Sequence, residues 1–409
     1  MTPRWLLLLY RISKRLGVRV LLGAVLALLA VAVAPLFQSL IPDWMKDRFG
    51  ADAVTPILSI LATTMLTVTT FSLSVMVQAF QSAASQATPR AYRLHLHDST
   101  AQTALAAFTG TFLFSLTALV LFNAGLYSEE SGVVIFFLTI ASIVAVIVAM
   151  LRWIGHLSVM GSMDHTLERV VESALPPLER AMARPSLGAA RPERKLPSDA
   201  LEVPATGAGY VQYINLEALE KKLAASEAVF RVFAHPGAHL VQGMPLGVVA
   251  GGHVPPEEIA ECFTLGPERT MEQDARFGVM VMNEIAIRAL SPAVNDPGTA
   301  IDVVQRLERM LMGLGCPEEA PPDYPHVQMA PLDPAHLLQD GFYPLIRDGA
   351  ARPEVIACVL SAMDVLQRAE WPKLVAAAAA TRQYTFDHAE AALTVEADRR
   401  WLESKRETG

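Results

Sequence analysis

Four long windows of this chain contain no Asp, Glu, Lys or Arg: Val20 to Leu40, Pro56 to Phe80, Ala104 to Leu126 and Gly132 to Leu151. Each is near the roughly 20 residues that about 30 Å of hydrocarbon requires. A charge-free run of that length argues for a membrane span over a buried core helix. Cysteine is scarce as well. Cys262, Cys316 and Cys358 all follow the last window and are widely spaced, as free thiols in a reducing compartment would be, with no disulfide framework or zinc-type pair. Basic patches with interleaved aromatics are missing and the net charge is −8, so no nucleic-acid partner is expected. The chain also lacks a G-x-S-x-G elbow, a phosphate-binding loop and an HExxH motif. No enzymatic activity, catalytic residue or cofactor is therefore expected.

What is present is apolar residues, at 52% of the chain, a high share for a purely soluble protein. The first window resembles a secretion signal only in its basic prefix and its AVAVA run. It is longer than the roughly 7–15 apolar residues of a signal and three further windows follow, so it reads as an anchor. Lys and Arg set the orientation. Arg4, Arg11, Lys14, Arg15 and Arg19 precede the first window, and Arg90 and Arg93 lie in the second connection. The first and third connections, PDWMKDRFGADAV and NAGLYSEESG, carry no basic excess. Both termini are thus expected on the cytoplasmic side of a bacterial inner membrane.

The expected fold is a four-helix transmembrane domain (1–160) followed by a cytoplasmic α+β domain. A helical extension and a Pro/Ala/Gly-rich linker occupy 161–208. Residues 209–254 alternate like strands between glycine turns and predict a small β-barrel or sandwich. From 255 to 409 a helical bundle is expected, with a loop over GCPEEAPPDYPHVQMAPLDP. His235, His239 and His253, near Cys262, fit no standard ligand spacing, so no metal site is expected. His95 and His97 flank the membrane as solvated groups or as pH sensors.

The most specific segment of the soluble part is EIAIRALSPAVNDPGTAIDVVQRLERM. Ser291-Pro292 ends one helix, because the residue before proline is pushed out of the α region. Asp296-Pro297 starts the next, pairing a side-chain acceptor with a residue of fixed φ and no N–H. Glu284 and Arg288 stand four apart, spaced for an ion pair. Asn295 and Thr299 complete a tight elbow, readable as architecture or as a small-ligand site. The combination of ASQATPR after the second span with QDARFG and ALSPAVNDPGTAIDVVQRL resembles a bacterial family known as domain of unknown function 2254. The likeness runs from about Leu21 to Arg400. It implies an integral membrane protein with an N-terminal helical membrane part and a large cytoplasmic part, and supplies no reaction or substrate.

The second span is unusual for its hydroxyls and amides. At about 100° per residue, Thr63, Thr67, Thr70, Ser74, Gln78, Gln81 and Ser85 fall within an arc of roughly 80°. Two readings compete. Ser and Thr can bond back to their own helix and let helices pack closely, whereas the glutamine amides have more donor and acceptor sites to satisfy and suit a water-facing path. Four spans are too few for a wide conduit in one subunit, so a path would lie on the axis of a homo-oligomeric ring. Its uncharged lining would discriminate weakly among ions or small solutes. Beyond membrane lipid and further copies of the chain, the other reading is a scaffold or sensor whose soluble part binds a partner or small molecule.

Overall fold

In a computed structural model, residues 16–33, 49–86, 88–91, 99–127, 129–157, 162–192 and 200–407 are described. The chain forms two compact units, Met1–Thr166 and Leu167–Gly409.

The first unit is helical: α1 (Leu16–Val33), α2 (Ala51–Gln86), α3 (Ser99–Asn123) and α4 (Glu129–Leu157). Among the described residues three helices are long and apolar enough to cross a membrane, over Asp52–Ala79, Thr100–Asn123 and Ser131–Leu157. These coincide with the second, third and fourth expected spans. The first expected span is described only to Val33, within α1, and its remainder to Leu40 lies outside the described residues. His95 and His97 lie outside them too. Helix α3 packs against α1, α2 and α4. Leu61, Met65, Phe108, Val146 and Trp153 form one apolar cluster, and Val54, Leu58, Phe114 and Ile135 another. Large apolar side chains also point outward, with Phe71 at 67% and Leu151 at 66% exposure. That pattern suits a helix whose outer solvent is hydrocarbon.

Helix α5 (Met163–Ala183) runs into the second unit, burying Leu167, Val170, Ala174 and Leu178 at three- and four-residue spacing. Beyond it lie two sheets. One has five strands in the order β1 (Ala189–Ala190), β8 (Tyr324–Gln328), β4 (Ala228–Val232), β6 (Pro245–Gly251), β2 (Leu201–Pro204). The other has three, β5 (His239–Leu240), β3 (Gly209–Ile214) and β7 (Phe263–Gly266). Strand β8 pairs parallel with β4, Phe230 opposite Val327, while β4 pairs antiparallel with β6. Both sheets and the short helix α6 (Leu216–Ala224) share one core around Phe230, Ile214, Leu219 and Val327.

The β-rich segment expected over 209–254 thus contributes strands to two sheets of a mixed α/β domain that also draw strands from outside that range. Three of their strands lie in segments expected to be linker or loop: β1, β2, and β8 inside PPDYPHVQMAP. β8 depends on distant partners, and its five residues include a proline, so it has little local strand signal.

The remaining helices are α7 (Pro256–Ala260), α8 (Phe277–Leu290), α9 (Pro297–Met312), α10 (Pro334–Gly349), α11 (Pro353–Leu366), α12 (Pro372–Ala392) and α13 (Glu396–Glu407). Five of these seven begin on proline, the residue whose fixed φ and missing N–H cost least at a first helical position. α8 packs on α9 and α10, α11 on α9 and α12, and α10 also on α12.

Candidate functional site

The polar face of α2 has a definite orientation. Thr63, Thr67, Thr70, Ser74, Gln78 and Gln81 are all exposed, while the side chain of Ser85 lies outside the described residues. Val54, Leu58, Leu61, Met65 and Met76, which are buried, centre on the opposite side of the wheel, about 180° away. The stripe thus faces away from the buried face of α2, among the described residues.

Its hydroxyls turn back onto the helix. Thr63 donates to the Ser59 carbonyl at 3.0 Å, Thr67 to Thr63 at 3.1 Å and Ser74 to Thr70 at 3.0 Å, and Thr70 donates to Leu66. Off the stripe, Thr64 and Thr69 do the same. Back-bonding satisfies the donors and leaves oxygen lone pairs outward. Gln78 stands at the end of the Asp52–Ala79 span and Gln81 just beyond it; an amide facing lipid without partners loses its hydration. The reading from the wheel did not find a second group of polar residues, turned inward: Ser115, Ser131 and Thr139 are fully buried and Gln102 nearly so. Thr139 donates to the Ile135 carbonyl at 2.7 Å. Their distribution over α3 and α4 gave no single stripe.

In the second unit the elbow joins α8 to α9. The Ser291 hydroxyl donates to the Arg288 carbonyl at 2.6 Å, and the Asn295 N–H to the Ser291 carbonyl at 2.8 Å. Asn295 takes φ +52, a left-handed conformation that asparagine tolerates better than most residues. Asp296 caps α9, accepting from the Thr299 N–H at 3.1 Å and from its hydroxyl at 2.6 Å. Those bonds hold the Asp296 carboxyl below its ordinary pKa. Pro292 to Asp296 are exposed, whereas Glu284, Arg288 and Thr299 are half-buried. The α2 stripe and the elbow belong to different units.

A third constellation was not singled out as a site from sequence, although its QDARFG segment carried the family resemblance. Gln273 mimics a strand, accepting from the Ile214 N–H at 2.8 Å and donating to the Ile214 carbonyl at 3.1 Å. Asp274, 3% exposed, accepts from the Arg276 and Phe277 N–H groups at the start of α8 and pairs bidentately with Arg269. Arg276 reaches across to Asp340 on α10 at 2.7 and 3.0 Å. Gly278 meets α5 so closely that an added Cβ would lie 2.2 Å from the Ala174 Cβ. Gly237, at φ +86, lies over the ion pair, and a Cβ there would be 2.0 Å from Asp274 Oδ2. Beside it, burial lowers the His235 pKa, and the charge of Arg276 and the His336 ring add to this. His239 instead meets the Tyr210 ring edge-on, 4.9 Å between centroids.

Three membrane-length helices followed by a mixed α/β domain with two sheets define the class: a multi-span membrane protein with a substantial domain beyond the spans. The family follows from the sequence, because the model for the predicted membrane protein family DUF2254 matches residues 13–365. The chain belongs to that family. It is also similar to uncharacterised proteins of Mycobacterium tuberculosis and Mycobacterium bovis, 29% identical over 318 residues and covering 73% of this chain. The matched region spans 59% of those relatives' own length. No solved structure matches.

Proposed function

We infer that the protein is a homo-oligomeric, channel-like protein of the bacterial inner membrane. The observation that carries this reading is the orientation of the α2 stripe, opposite the face packed within the protomer. An outward row of hydroxyls ending in two amides is poorly matched to lipid and well matched to an axis shared with other copies. The path would admit ions or small uncharged solutes, since its lining has hydroxyls and amides in place of the charged rings that select by sign. Both termini and the second unit are cytoplasmic in this reading, following the Lys/Arg bias of the connections. The second unit serves assembly or gating, and no enzymatic step is assigned to it.

Purified protein in planar bilayers is expected to conduct. Thr70→Leu and Ser74→Leu should each reduce the single-channel current, because bulky apolar side chains would narrow and dry the path. Unaltered currents in both variants remove the pore assignment. The buried ionic constellation and the exposed elbow favour a second reading, a membrane-anchored scaffold or sensor that binds a partner or small molecule. Under it, the full chain binds such a ligand without conducting.

A further inference from the structure

Two stretches of the second unit contain no Asp, Glu, Lys or Arg: Val203 to Leu216 and Val232 to Pro256. In a chain of 18% charged residues, their meeting in space is informative. Pro204 pairs with Pro245, Gly209 with Leu240 and Tyr210 with His239. Ala205 donates its N–H to Met244 and accepts from that of Gly243. The Phe233 N–H donates to the Leu246 carbonyl, two residues from Met244. One end of the two-sheet region is therefore assembled from three charge-free connections. Phe233, Val241 and Met244 stand out from it at 43%, 53% and 42% exposure. Charge borders it at Glu202 and Glu268 and beside Gly237 and His235, where Arg269 pairs with Asp274 and Arg276 with Asp340.

We propose that this end is a lipid-surface contact, in which Phe233, Val241 and Met244 enter the interfacial layer of the bilayer. An apolar patch on a soluble unit marks an interaction surface, and two observations favour lipid as its occupant. A protein partner would be held by about one hydrogen bond per 100–200 Å² with a polar rim, yet the side chains offered here for such bonds are few, chiefly Thr206, Gln242 and His239. Shallow insertion needs only apolar tips free of charge. The chain is also a multi-span membrane protein, so its second unit is tethered beside a bilayer at high effective concentration. The cations beside the patch, Arg269 and Arg276, are each paired with a carboxylate, Asp274 and Asp340, so attraction to anionic headgroups contributes little, and the contact is insensitive to salt and to anionic lipid. This inference does not depend on conduction.

The test uses the full chain in phosphatidylcholine nanodiscs, in a Cys316→Ser background. An environment-sensitive fluorophore is placed at Gln242→Cys and, as a comparison, at Lys373→Cys on exposed α12. Nitroxide-labelled lipid should quench the probe at 242 severalfold more than the probe at 373. The difference should persist in high salt and with added anionic lipid. Changing Phe233, Val241 and Met244 together to serine should abolish it while circular dichroism stays unchanged. Equal quenching at both positions overturns the proposal. So does an apolar-shifted emission at 242 that lipid nitroxide leaves untouched, which would mean that protein, such as a second copy, covers the patch.

Discussion

The two units satisfy their polar side chains over different distances. In the membrane unit the α2 hydroxyls reach carbonyls four residues back. In the second unit Gln273 reaches Ile214, Arg276 reaches Asp340, Arg231 reaches Gln328 and Glu220 holds His326, across 59 to 106 residues. Hydrocarbon offers no hydrogen bonds, so a spanning helix must close its own account before it meets neighbours. A water-soluble core can leave that closure to tertiary structure. The consequence is that the hydroxyls of α2 are free to face any direction, and their shared side with Gln78 and Gln81 becomes a clue to function. In the second unit, orientation first of all reflects folding.

Substitutions at three sites test that contrast, beginning with the largest effect. Asp274→Ala strands the largely buried Arg269 guanidinium and uncaps α8, and should cost about 3–5 kcal/mol. Thermal unfolding of the full chain in detergent measures it, and replacing the pair together, Arg269→Met with Asp274→Leu, should recover part of the loss. Asp296→Ala at the elbow should cost about 0.5–2 kcal/mol in the same assay, while Asp296→Asn keeps the acceptor and should change little. A normally stable but functionally dead Asp296→Asn protein would move the elbow from architecture to ligand binding. Smallest of all, Thr67→Val removes a hydroxyl bonded only within its own helix and should shift stability by less than about 0.5 kcal/mol. A Thr67→Val loss as large as that of Asp274→Ala would erase the distinction between the units.

The difference in reach also explains what could be read from the chain alone. The second, third and fourth spans were legible because absence of charge over some twenty residues is a local property. The α9 start at Asp296-Pro297 was legible for the same reason, and Pro334, Pro353 and Pro372 open helices by the same local rule. Strand β8 was not legible, because YPHVQ is a strand only between β1 and β4, whose residues lie about a hundred or more positions away. Nor was the role of QDARFG, since Gln273, Arg276 and Gly278 each answer to a different remote partner, Ile214, Asp340 and Ala174, and only Asp274 has its partner, Arg269, close in sequence. The α2 stripe was visible as a pattern on a wheel. Which side of that wheel packs within the chain required the neighbouring helices.

The position of β8 has a consequence for biosynthesis. It lies between β1 and β4 in the five-stranded sheet, yet it is the last of the strands to be made. When β4 and β6 have left the ribosome they can pair, but the other edge of β4 stays open until Tyr324–Gln328 emerges. At about 5–20 residues per second, that interval is on the order of 5–20 s. An unpaired strand edge is a template for wrong pairing, and the spans are being inserted ahead of it on the same chain. A nascent chain halted before residue 324 should therefore recruit chaperones or aggregate, whereas one whose β8 has cleared the ribosomal tunnel can close its sheet.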